Sequence, residues 1–156
     1  MNRRTLLQAA GTVGFAALAG CAGTDSGTDE TPSGTDTTTP TMTDESFTVV
    51  QIASGQERDE ASVTVDGATV TVEGTIWGAD GCTTAELADA SYDTAADELT
   101  VAVATTRQEG TDTACTQAIV EIDYRATVTF ENGVPATVVV THDRGDGAQT
   151  VTTTSP

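Results

Sequence analysis

The sequence predicts an all-β domain: an antiparallel two-sheet sandwich of immunoglobulin-like type, with about six to eight short strands. Three observations predict it. Between Gln117 and Phe130 apolar and polar residues alternate, the period-two spacing of a strand buried on one face. Between Ser62 and Ile76 two further alternating runs flank Asp66-Gly67, a pair that suits a two-residue hairpin turn. Cys82 and Cys115 supply an even pair within one domain-sized module, as in small exported domains.

Taken in order, Phe47 to Ala53 reads as a mostly apolar first strand. Ser62-Val63-Thr64-Val65 alternates, and Thr69 to Ile76 returns with Val70, Val72 and Ile76 on one face. Thr83 to Tyr92 carries Ala85, Glu86, Leu87, Ala88 and Ala90, which favour helix locally. Its place between strands, ahead of the turn-like Asp93 to Asp97, favours an edge strand, and strand is the reading adopted. Leu99, Val101 and Val103 share a face. In the long strand from Gln117, residues Ala118, Val120, Ile122, Tyr124, Ala126, Val128 and Phe130 point one way. Glu131-Asn132-Gly133 turns the chain, and Ala136 to Thr141 pairs back, with Pro135 near the strand start where a missing N–H is tolerated. Trp77, Tyr92, Tyr124 and Phe130 read as core residues. The functional reading of Trp77 is a stacking platform beside Gly78-Ala79-Asp80-Gly81.

The chain has 156 residues, with 24 acidic side chains against 6 basic ones, for a formal charge of −18. All the basic residues are Arg. That length holds one modest domain. The acidity argues against nucleic acid as a partner, because phosphates demand a basic face. One His, three Cys and no Lys leave little material for metal or nucleophilic chemistry. No phosphate-cradling Gly motif and no Gly-x-Ser-x-Gly occurs, so no cofactor and no catalytic residue is assigned.

The N-terminus has the layout of a signal peptide. Arg3 and Arg4 precede an apolar run from Leu6 to Ala19, about 14 residues where a membrane span needs ~20. Arg3-Arg4-Thr5-Leu6-Leu7 resembles the twin-arginine export signal. Leu18-Ala19-Gly20-Cys21 resembles the lipobox of secreted lipoproteins, which implies that Cys21 becomes a lipidated N-terminus. Residues 1–20 are therefore read as the signal. Residues 21–46 are read as the lipidated Cys and a disordered Thr/Asp/Gly/Pro-rich tether, too poor in apolar residues to build a core. Residues 47–154 are the sandwich.

Loss of Arg3 and Arg4 with the signal leaves 4 basic residues against 24 acidic, a net −20. At 1 M salt the Debye length is only ~3 Å, so such a surface barely repels itself. Absent Lys and abundant Asp, Glu, Thr, Ala and Val resemble the proteins of halophilic archaea. With the signal, the chain resembles a haloarchaeal exported lipoprotein. This resemblance implies attachment to the outer face of the cytoplasmic membrane and says nothing about activity.

With Cys21 lipidated, a Cys82–Cys115 disulfide is the natural pairing. It closes 32 intervening residues, worth about 3–4 kcal/mol by chain entropy. Metal binding by the two thiols needs further ligands, and the only His lies 27 residues beyond Cys115. Gly81-Cys82, Tyr92-Asp93, Leu99 to Val103, Ala114 to Gln117 and the strand through Tyr124 together resemble small one-disulfide sandwich domains of lipoproteins. That resemblance implies a fold and a bridge, without a site.

His142 shares parity with Val138 and Val140 and reads as a rim residue bonded to a neighbouring acid. Arg144-Gly145-Asp146 spells an adhesion tripeptide, but a loop explains it, and Asp143 and Asp146 read as solvated turn carboxylates. The expected function is a non-enzymatic, membrane-anchored module that contacts an envelope protein or a small ligand. The expected contact loops run from Trp77 to Cys82 and from Asp112 to Thr116, with Trp77, Asp80 and Thr116 as interaction residues. A solute-binding accessory component and a small hydrolase using paired carboxylates are the alternatives. A pocket lined by two acids and Trp77 would favour the hydrolase. A flat, polar sheet face would favour the interaction module.

Overall fold

The structure, a computed structural model, describes residues 38–110 and 114–156. Arg3, Arg4, Cys21, most of the tether and Asp112 lie outside the described residues. Eight strands follow one another: β1 Thr41–Ser54, β2 Glu60–Asp66, β3 Thr69–Gly78, β4 Thr83–Asp93, β5 Glu98–Arg107, β6 Val120–Glu131, β7 Thr137–Asp143 and β8 Gln149–Thr154. They form two four-stranded sheets, ordered β1-β6-β3-β2 and β4-β5-β7-β8. No helix occurs among the described residues.

The alternating runs build the core as expected. β3 contributes Val70, Val72 and Ile76, and β6 contributes Val120, Ile122, Tyr124, Ala126, Val128 and Phe130. Facing them are Leu99, Val101 and Val103 of β5 with Val138 and Val140 of β7. Each fully buried Val, Leu or Ile contributes roughly 1.5–3 kcal/mol relative to exposure. Tyr124 stacks on Phe47 with ring centroids 5.5 Å apart, and Tyr92 meets Phe130 edge-on at 5.4 Å. Thr83 to Tyr92 is a strand at a sheet edge, so tertiary pairing with β5 overrides its helical propensity.

Several expectations need correction. β1 begins at Thr41, so Thr41 to Ser46 belong to the sandwich and pair with β6 instead of the tether. A polar sequence suffices there because most of its side chains face water at a sheet edge. β6 begins at Val120, and Ala118 is exposed outside it. The hairpin turn after β2 is Gly67-Ala68, one residue later than expected, with Gly67 at φ 60° and Asp66 opposite Thr69. Not every neighbour is antiparallel, since β5 and β7 run parallel. Between them the chain crosses to the other sheet as β6, reverses twice, and returns in its original direction. β1 pairs with β6, whereas immunoglobulin domains place their first two strands side by side. Irregularities in the β1, β4 and β8 pairings blunt those sheet edges.

Candidate functional site

Two neighbouring regions gather the polar residues. The first is the corner held by the disulfide. Cys82 and Cys115 are bonded, with Cα atoms 5.4 Å apart. The bridge brings Gly81 against Thr116, and the Gly81 N–H donates to the Thr116 carbonyl at 3.0 Å. Any side chain at Gly81 would collide with the Thr116 hydroxyl. Asp80 turns back on its own loop. Its Oδ1 accepts from the Cys82 N–H at 2.9 Å and from the Thr83 hydroxyl at 3.1 Å. The Arg107 guanidinium donates to Cys115 Sγ at 2.8 Å. The Asp80 carboxylate and both sulfurs lie within 4.8 Å of one another. Sulfurs bonded to each other are not thiolates, however, and thiolates are what a metal takes. The bridge thus brings the loop carrying Asp80 against Thr116 through Gly81, with Asp80 committed to bonds within its own loop.

The second region lies where β3, β5 and β7 finish. β2 begins opposite Thr75, so no strand pairs with β3 beyond that point on this flank. Trp77 alternates with buried Ile76 and Gly78 and so lies on the outward face of β3, partly exposed rather than a core residue. Arg144 covers it, with the guanidinium 4.7 Å from the ring centroid. A cleft opens between Trp77, Thr83, Thr105, Arg144 and Asp146. Thr83 is drawn so close to β3 that a Cβ on Gly78 would lie 2.5 Å from it. Asp143 accepts from the Gly145 N–H at 2.8 Å and the Gly147 N–H at 3.2 Å, which shapes the loop carrying Arg144.

Behind the cleft runs a chain of polar contacts into the core. Arg144 pairs with Asp59, and Asp59 Oδ1 lies 3.0 Å from His142 Nδ1. His142 Nε2 lies 2.7 Å from the Tyr124 hydroxyl. His142 is 3% exposed and Tyr124 1%. His142 is thus buried, not a rim residue, because it continues the inward face of β7 beyond Val140. Its acid is Asp59, 83 positions away. An ionised carboxylate only accepts, so Nδ1–H donates to Asp59 and Nε2 accepts from Tyr124. Burial lowers the His142 pKa below its ordinary value against the opposing pull of Asp59, and the Arg144 charge adds to the lowering. Burial, then the Asp59 charge, raises the Tyr124 phenol. No described side-chain atom is buried without a partner. The arrangement seats a neutral imidazole and leaves neither nitrogen open to a substrate.

A shallow groove also crosses the outer face of the β1-β6-β3-β2 sheet. There Arg125 donates to Glu73 at 2.9 Å and the Thr75 hydroxyl donates to Asp123 at 2.6 Å. These groups satisfy one another along adjacent strands.

Sequence reasoning found the bridge and named Trp77, Asp80 and Thr116 around it, but missed Asp59, Arg144 and the Tyr124–His142 contact. One signal was available: with so few cations in the chain, each Arg is worth tracing to its acid. Comparison with known proteins finds no matching family, no matching curated protein and no matching solved structure.

Proposed function

We propose that this chain is an exported lipoprotein, held by a lipid on Cys21 at the outer face of the cytoplasmic membrane of a halophilic archaeon. Its sandwich serves as a binding module, not an enzyme. The export half rests on the order of Arg3-Arg4, the short apolar run and Leu18-Ala19-Gly20-Cys21. The observation that carries the non-enzymatic half is His142. The chain's single histidine has both ring nitrogens engaged in the interior. The Trp77 cleft contains one lining carboxylate, Asp146, which speaks against a paired-acid hydrolase there. The outer face of the β1-β6-β3-β2 sheet is largely polar, with Arg125 paired to Glu73 and Thr75 to Asp123, which favours the interaction reading. The acidic surface fits a salt-rich exterior, where screening is strong.

Fractionation of cells expressing the Cys21→Ser and Arg3→Lys/Arg4→Lys variants tests the export half. The account expects the wild type in membranes, the Cys21 variant free outside the cell, and the double-Arg variant retained inside. A Cys21→Ser protein that stays membrane-bound contradicts the anchor. Crosslinking on intact cells in native salt, with mass spectrometry, tests the interaction half by asking whether a dominant partner is captured through the sandwich.

A further inference from the structure

We infer that the Trp77–Arg144 cleft is a binding site for a neutral saccharide. This rests on the reading of the sandwich as a binding module and names its ligand class. The cleft combines a partly exposed indole, one face of which Arg144 covers, with polar groups that the protein itself does not use. Among the described residues the Trp77 indole N–H has no hydrogen-bond partner, and neither does the Thr105 hydroxyl. Asp146 has only a long contact to Arg144, 3.8 Å, beyond hydrogen-bonding reach. Thr83 spends its proton on Asp80 and keeps its lone pairs. Donors and acceptors thus line one cleft beside the part of the indole that Arg144 leaves uncovered, the mixture that suits a ring with apolar C–H groups and a hydroxyl rim.

Charge narrows the ligand further. Arg144 stands between Asp59 and Asp146, so this group of three carries one net negative charge. The whole chain is at −18. An anion is repelled by both. Arg144 is also held in place from behind by Asp59, His142 and Tyr124, so the cleft wall is ordered before a ligand arrives, which lowers the cost of binding.

Trp77 is the sole tryptophan of the chain, so intrinsic fluorescence reports this cleft alone. The full-length protein, in salt that keeps it folded, is titrated with maltose, cellobiose and N,N′-diacetylchitobiose, with sodium sulfate as the anionic probe. The inference expects a saturable emission change with at least one saccharide and none with sulfate. Thr105→Val and Asp146→Asn, which retain the reporter, are each expected to weaken that saccharide about fivefold, as for one lost hydrogen bond. No saturable change with any saccharide up to tens of millimolar overturns the inference. So does an equal response to sulfate, or a response that neither variant weakens. A negative titration alongside a dominant crosslinked protein partner overturns the saccharide alone. A negative titration with no partner overturns the binding-module reading as well.

Discussion

The disulfide corner and the Trp77 cleft are separated by a few residues of one loop, yet they use their polar groups in opposite ways. At the corner Asp80 accepts from Cys82 and Thr83, Gly81 donates to Thr116, and Arg107 reaches a bridged sulfur. In the cleft the Trp77 indole N–H and the Thr105 hydroxyl have no partner among the described residues, and Asp146 is barely engaged. Residue type alone does not separate the two, since both contain an acid, a Thr and an Arg. What separates them is how much hydrogen-bonding capacity folding has already consumed. Spent groups report stability. Unspent groups beside an aromatic ring report recognition.

The comparison is broken most severely at the bridge. Cys82→Ala/Cys115→Ala is expected to cost about 3–4 kcal/mol of stability, read as a lowered denaturant midpoint. The spectrum of Trp77 in the folded protein should stay unchanged. A shifted Trp77 spectrum would mean that the corner and cleft are one structure. Next comes the chain behind the cleft. Tyr124→Phe leaves His142 Nε2 unpaired in the core and should cost roughly 1–3 kcal/mol. A neutral result would contradict the assigned proton arrangement. Asp80→Ala removes two hydrogen bonds and should cost about 1–2 kcal/mol in the same measurement, again without moving Trp77 emission.

Acidity sharpens the same contrast. The folded pKa of His142 lies below its unfolded value, so the unfolded chain takes up a proton first. The stability contributed by neutral His142 is whole above about pH 6.5, the unfolded value. It declines as pH falls from there through the lowered folded value. Denaturant midpoints measured down that range should fall in the wild type. A His142→Gln variant should lack that part of the decline. Tyr92 works in the opposite range: its hydrogen bond to Asp97, helped by burial, pushes it up to about 12. It stays protonated wherever His142 titrates. The smallest effect is expected in the cleft, where Thr105→Val should change stability by no more than about 0.5 kcal/mol because its hydroxyl has no partner among the described residues. A larger loss would show that the group is spent after all.

Much of the fold was legible in the sequence, and the reason is particular. β6 and β7 alternate throughout, and β3 and β5 over most of their length, because both sheets bury one face against the other, so the core residues declare themselves. β8 reads Gln-Thr-Val-Thr-Thr-Thr and the start of β1 is as polar. Edge strands exposed on most of their surface carry no period to read, and they exist through pairing with β7 and β6. The parallel β5–β7 pair was hidden because sheet membership, not strand pattern, decides direction. The bridge was legible from cysteine count. Trp77 was misread against its own parity, which is opposite to that of Val70, Val72 and Ile76 and places it on the outward face of β3. Asp59 was invisible because its partner lies 83 positions along the chain. For the same reason, His142 could be tied to an acid from sequence but not to the right one.

The most direct test of the contrast is amide and indole NMR of the full chain, titrated with maltose, cellobiose and N,N′-diacetylchitobiose in turn. The account predicts saturable shifts at the Trp77 indole N–H and at the Gly145 and Asp146 amides, while Gly81, Cys82 and Thr116 hold still. Shifts centred on the bridged corner, or none at all, would contradict it.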